Sequence, residues 1–220
     1  MQDQRPPRVS VIGLGKLGSP MAACFAAKGF TTIGADLDSA KVEALNAGRA
    51  PVLEPRLQEM IDLGRTNLRA TQSIEEAVLA SDITFVIVPT PSDADGRFSL
   101  TASFAAFNAI GKAIAQKTEY HLVVMTSTVM PGATGNELLP VLERASGKQV
   151  GGPDLGLCYS PEFIALGSVV RNLLNPDFIL VGESDARSGA LLESFYQQVC
   201  EKDHPTARMN FVNAELTKLS

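Results

Sequence analysis

Short runs of consecutive apolar residues alternate with longer amphipathic stretches along the whole chain. The runs fall at Arg8 to Ile12, Thr31 to Ala35, Leu68 to Thr71, Ile83 to Val88, His121 to Met125, Leu155 to Tyr159, Phe178 to Val181 and Ala207 to Phe211. Several, such as ITFVIV and HLVVM, are apolar at nearly every position. That is the pattern of a strand covered on both faces of a parallel sheet, not of a strand with one wet face. The stretches between them read as helices. Asp38 to Ala47 closes at Gly48, and Ser73 with Glu76 has the spacing of a capping box. Strand and helix in alternation make βαβ units, so the predicted fold is α/β: a Rossmann-like, doubly wound, mostly parallel sheet with helices on both faces and one or two extra strands. No repeat, low-complexity tract or long linker interrupts the pattern, and residues 1–212 are expected to form one domain. The closing stretch VNAELTKLS begins another helix over 213–220, with neither a glycine cap nor a proline to end it.

At 220 residues and 45% hydrophobic content, the chain can bury the core of one large α/β domain. A net charge of −5 argues against a nucleic-acid partner, which calls for a basic face. No run approaches the roughly 18 apolar residues of a membrane span. Met1 to Pro7 is polar and unlike a signal peptide, so a cytoplasmic protein without membrane partners is expected. Cys24, Cys158 and Cys200 are widely spaced, as are His121 and His204, which suggests neither a disulfide framework nor a metal site.

The candidate chemistry starts at VIGLGKLGSPMAACFAAKGF. Gly13, Gly15 and Gly18 spell G-x-G-x-x-G between the first strand and a helix of small residues. In a dinucleotide fold the first glycine makes the turn, the second lets the backbone approach a pyrophosphate, and the third lets helix and strand pack closely. The helix N-terminus then faces the phosphates. Asp36 ends the second strand near the spacing expected of a ribose-binding acid, and its carboxylate can accept from both adenosine ribose hydroxyls. It would repel a 2′-phosphate, and no arginine follows it, so NAD is expected rather than NADP. Asp38 reads as a helix N-cap. The loop residues Gly13, Leu14, Gly15, Lys16, Leu17 and Gly18, with Asp36, form the expected cofactor cradle.

Later strands should deliver their C-terminal ends to the same crevice. There the chain carries PTPSDADGRF, with Thr90 between prolines, then TSTVMPG, with Thr128, then SPEFIALGS, with Glu162. Together with GLGKLG, VPTP, STVMPG, YSPEF, NPDFILVG and AELTK, these stretches resemble the UDP-glucose and related nucleotide-sugar dehydrogenases over nearly the whole chain. Members of that family oxidise the C6 alcohol of a nucleotide sugar to a carboxylate, consuming two NAD without releasing the aldehyde. The resemblance implies that Asp36 and Lys41 hold the adenosine ribose, that Thr90 contacts the cofactor, and that Thr128 sits near the nicotinamide and positions a water. It implies Glu162 as the base for thioester hydrolysis and Lys218 as the cation that stabilises the substrate oxygen. The substrate is expected along Glu162, Phe163, Ile164, Ala165, Leu166 and Lys218. Read alone, each residue has a plainer alternative: Glu162 could begin a helical turn, Thr128 could cap a helix, and Lys218 could be a solvated face residue.

Two positions depart from the family pattern. Leu166 stands where a second, cofactor-touching glutamate is common, and Phe178 stands where arginine is frequent. Glu162 followed by Phe163 leans towards the UDP-glucose type. The family's cysteine nucleophile lies beyond the central helix, and none of the three cysteines here is assigned that role. The resemblance therefore implies that the chain is the cofactor half of a longer enzyme, inactive by itself, whose central helix forms a homodimer. Two other readings stand beside it: a β-hydroxyacid dehydrogenase-like enzyme, and a non-catalytic NAD-binding regulatory module.

Overall fold

The computed structural model describes residues 5–165 and 167–220. The strands are β1 (Val9–Ile12), β2 (Thr32–Ala35), β3 (Leu68–Thr71), β4 (Ile83–Val86), β5 (His121–Met125), β6 (Leu155–Tyr159), β7 (Ile179–Glu183) and β8 (Thr206–Met209). The helices are α1 (Gly18–Ala27), α2 (Ser39–Asn46), α3 (Leu57–Leu63), α4 (Ile74–Leu79), α5 (Thr101–Ile114), α6 (Leu139–Ser146), α7 (Val169–Leu174), α8 (Ala186–Val199) and α9 (Phe211–Leu219). A π-helical turn, Thr134–Leu138, leads into α6.

The strands form one sheet in the order β3-β2-β1-β4-β5-β6-β7-β8. All neighbours are parallel except β6 and β7, which run antiparallel with Cys158 opposite Glu183. This is the doubly wound sheet that the apolar runs predicted, extended by two strands. The order reverses between β1 and β4, which opens a crevice at the carboxyl ends of these two strands.

Side-chain alternation explains why the runs are apolar throughout. Along β5, Leu122 and Val124 face a core with α1, α3, α7 and α8, while Val123 and Met125 face a second core with α4, α5 and α6. Both faces of the strand are dry, so neither position can be polar without a partner. On the first face Phe25, Phe85 and Phe195 pack with ring centroids 5.0 to 5.5 Å apart, and Tyr196 meets Phe85 edge-on.

Local chemistry sets most element ends. Asp38 caps α2 by accepting from Ala40 N, and Asp185 and Asn210 cap α8 and α9. The capping box at α4 forms only by half. Ser73 accepts from Glu76 N, but the Glu76 carboxylate turns to Arg69 and Thr71. An arginine cation across the way attracts a carboxylate more strongly than the backbone amide of Ser73 does. The run at Phe178 to Val181 becomes β7, which starts one residue later and extends two residues further, to Glu183. The run at Ala207 to Phe211 stops at Met209 because Asn210 starts α9. Among the described residues no helix is long and apolar enough to cross a membrane.

Candidate active site

The glycine loop joins β1 to α1. Gly13 has φ +99°, and a Cβ there would run into the carbonyl of Ile87, so the turn admits only glycine. A Cβ on Gly18 would collide with the carbonyl of Gly13, which is how closely the start of α1 lies over the loop. Gly15 is different: a Cβ there meets nothing within 4 Å. The open side of the loop is therefore at its second glycine, where a phosphate needs to approach. The N-terminus of α1 also has no side-chain cap and no acid in its first turn. An uncapped helix start beside an open glycine is suited to an anionic ligand.

Asp36 stands where β2 ends. Its Oδ2 accepts from Leu14 N at 2.7 Å and from Lys41 Nζ at 3.2 Å, and its Oδ1 accepts from Asp38 N at 2.9 Å. Burial alone would push this carboxyl up, but the two backbone N–H groups and the Lys41 ammonium hold it below its ordinary value. It is ionised at neutral pH. A carboxylate offers about four acceptor sites, so one remains for a ribose hydroxyl, and a second hydroxyl requires the Lys41 ammonium to turn aside. Leu14 buries its side chain and contributes fixed backbone to the cradle, while Lys16 is exposed and Leu17 half-buried. Next to Asp36 lies a cleft of about 370 Å³ lined by Ile12, Ala35, Ile74, Val88, Pro89 and Ala106, among others. Its walls are mostly apolar, as a flat heterocyclic base requires. The loop, acid and cleft all fit a dinucleotide.

Thr90 and Thr128 both sit partly exposed on loops that follow β4 and β5. The two loops are tied together, because Ser127 Oγ donates to Val88 O at 2.6 Å. Glu162 follows β6. Burial pushes its carboxyl up to about 7, against the opposing pull of a hydrogen bond from Tyr196 and the charge of Lys218. Lys218 Nζ donates to the backbone carbonyl of Glu162 at 2.7 Å and lies 4.7 Å above the Phe163 ring. Burial also lowers the Lys218 ammonium from its ordinary value. Phe178, the residue in place of arginine, packs at a tilt against Phe163 with ring centroids 4.8 Å apart, and so supports the ring beneath the lysine. Ile164 packs partly on the core, Ala165 is exposed, and Leu166 lies outside the described residues. The structure thus brings Glu162, Phe163 and Lys218 together, and places Asp36, Lys41 and the glycine loop at a separate stretch of the same sheet edge.

Sequence reasoning missed Glu215. This fully buried acid accepts from Gly132 N at 2.5 Å and Thr134 N at 2.8 Å. It pins α9, one turn before Lys218, to the STVMPG loop that carries Thr128. Its signal was an acid next to Ala214 and three residues before Lys218, too weak to read without the fold. Glu54 was missed as well. Its carboxylate accepts from Gly167 N and Val169 N and so anchors the segment that follows Glu162.

None of the cysteines is a ready nucleophile. Burial pushes the thiols of Cys24 and Cys200 up to about 12 and Cys158 higher still. Among the described residues no cluster of His, Cys, Asp or Glu is arranged to hold a metal ion.

A doubly wound sheet with an open glycine loop and an ionised acid at the end of its second strand defines a dinucleotide-binding domain. More closely, the chain belongs to the UDP-glucose/GDP-mannose dehydrogenase family, whose NAD binding domain matches residues 7–200. Its cofactor is NAD. It is 37% identical over 213 residues to the GDP-mannose 6-dehydrogenase of Pseudomonas aeruginosa, covering 96% of this chain and 48% of that protein. It is also 37% identical to the UDP-glucose 6-dehydrogenase of Haloferax volcanii, covering 96% of this chain and 49% of the relative. A crystal structure of a ternary complex of the Pseudomonas GDP-mannose dehydrogenase superposes with a TM-score of 0.92 at 37% identity, over 96% of this chain and 48% of that one. The chain spans about half the length of the curated relatives it matches.

Proposed function

We propose that this chain is the cofactor-binding half of an enzyme that oxidises the C6 alcohol of a nucleotide sugar to the carboxylate in two hydride transfers, and that it ends in the start of a central helix, α9, which begins at Phe211, two residues before the expected 213–220. The observation that carries this reading is the pairing of Lys218 with Glu162. An ammonium seated on the Glu162 carbonyl is free to turn its other protons to a developing alkoxide, and a carboxyl at about 7 can take a proton near neutral pH. A regulatory NAD-binding module has no use for such a pair. NAD supplies the hydride acceptor.

The residues divide the work. Gly13, Gly15, Gly18, Asp36 and Lys41 hold the dinucleotide, with Thr90 at its side. Thr128 orients water, and Lys218 stabilises the negative substrate oxygen. In the last step the Glu162 carboxylate removes a proton from water while the water oxygen bonds the acyl carbon of a cysteine thioester and the thiolate leaves. None of Cys24, Cys158 and Cys200 is assigned as that thiolate, which the family resemblance puts beyond the central helix. Phe163, Ile164 and Ala165 line the sugar. On α9, Val212, Leu216 and Leu219 expose an apolar stripe at helical spacing, which supports a homodimer through this helix.

UDP-glucose is the substrate that Phe163 after Glu162 favours. GDP-mannose is the second reading, because the Pseudomonas relative bears that name at equal identity. The test is to supply the natural protein that contains this chain with NAD and each sugar nucleotide in turn. Two NADH formed for each sugar consumed supports the reading. Oxidation of a small β-hydroxy acid instead, or NAD binding with no sugar turnover, would replace it.

A further inference from the structure

Glu162 needs more than a suitable proton affinity to serve as a base. Its carboxylate must also point at the water it deprotonates, and nothing in its own loop fixes it. The loop from Pro161 to Ala165 has no regular structure. The side chain finds its fixed point 34 residues later, on α8, where Tyr196 OH donates to Glu162 Oε1 at 3.1 Å.

Tyr196 is fully buried, and its ring is held edge-on by Phe85 and Phe195 with centroids 6.2 and 5.9 Å away. Its oxygen lies 3.4 Å from Ser160 Oγ, which itself donates to Leu180 O at 2.9 Å. With its own proton given to Leu180, Ser160 leaves the phenol proton to Glu162, the nearer and charged acceptor. Burial and the neighbouring carboxylate raise the phenol's own ionisation well above the ordinary value, so Tyr196 stays a donor throughout the working range. A buried phenol adjoining an aromatic cluster and aimed at one acid is more than packing requires, since phenylalanine would fill the same space.

We propose that Tyr196 is a positioning residue that holds the Glu162 carboxylate for proton abstraction from water. The proposal rests on Glu162 being the hydrolytic base. Other groups face the same acid. Lys218 of α9 favours its ionised form, Cys200 at the end of α8 is a protonated thiol nearby, and Arg171 and Asp177 line the same pocket of about 190 Å³. None of these is shown donating to the carboxylate oxygen that Tyr196 holds.

The experiment uses the natural protein and its Tyr196→Phe variant. Infrared difference spectra across a pH series follow the Glu162 carboxyl, assigned by its disappearance in Glu162→Gln. Removing one donor to the charged form is expected to raise the Glu162 midpoint by about one pH unit and to carry the rising limb of kcat with it, while the KM for NAD and the first hydride transfer stay unchanged. If Tyr196→Phe does not fold, 3-fluorotyrosine at this position, a stronger donor, is expected to move the midpoint down. An unmoved midpoint in a folded variant, even one with lowered thermal stability, overturns the proposal and leaves Tyr196 as packing. A midpoint that moves while the kcat profile stays removes Glu162 as the base, and the proposal falls by that separate route.

Discussion

The two ends of the sheet both enclose polar groups and use them in opposite ways. Where the strands begin, Ser81, Ser10, Thr84 and His121 form a chain of hydrogen bonds between 2.7 and 2.9 Å. Beside it, the Lys117 ammonium is given to the carbonyls of Val78 and Ser81, and Arg8 grips Asp82 with two side-chain nitrogens. Burial moves His121 down to about 3, so it stays neutral at any working pH. Where the strands end, the same force moves Glu162 up to about 7, into the working range. Burial by itself therefore marks neither a structural nor a reactive group. What separates the two ends is whether desolvation carries the midpoint away from neutrality or towards it.

The comparison breaks most visibly at Lys218. In the natural protein Lys218→Ala should lower kcat by about 10²- to 10³-fold, the cost of one donor aimed at a developing oxyanion, with thermal stability nearly unchanged. Equal loss of turnover on replacing Lys117 by alanine, without unfolding, would erase the distinction between the ends. Asp36→Ala should weaken NAD binding by about ten- to a hundredfold in calorimetry, since a hydrogen bond from the ribose to a charged group is worth about 1.5–3 kcal/mol. NADP should be disfavoured by the unsubstituted Asp36.

Smaller effects sharpen the picture at the glycine loop and in pH dependence. Gly15→Ala should keep the melting temperature and raise the Kd for NAD by about tenfold, because its methyl enters only the open side of the loop; Gly13→Ala should lower the melting temperature first. His121 has a folded midpoint below its ordinary 6.5, so its contribution to stability is present above that value and lost as pH falls towards about 3. Glu162 has a folded midpoint above its ordinary 4.5, so its contribution is present below 4.5 and lost as pH rises through about 7. Chemical denaturation across pH should show His121→Gln flattening the acid limb and Glu162→Gln flattening the alkaline one.

What was legible in the sequence follows from this division. Parallel strands are dry on both faces, so their apolar runs read directly, and the glycine loop and Asp36 read because a single turn sets their geometry. Glu215 and Tyr196 did not read. An acid on a helix looks solvated until the helix is seen lying on the STVMPG loop, and a tyrosine in LLESFYQQV looks like core until its hydroxyl is seen meeting an acid 34 residues away. The half-made capping box at Ser73 failed for a more local reason, because Arg69, seven residues earlier on β3, took the Glu76 carboxylate. Partners distant in sequence decide the chemistry of Glu215 and Tyr196, and spacing carries no trace of them.

The most direct test of Glu162 as the base of the final hydrolysis is a stopped-flow experiment on Glu162→Gln in the natural protein, following NADH after mixing with NAD and the nucleotide sugar. The prediction is a rapid burst of NADH as the acyl-enzyme fills, then steady turnover slowed by about 10²- to 10⁴-fold, with NAD affinity unchanged. Steady turnover at the unsubstituted rate, with no burst, would contradict it.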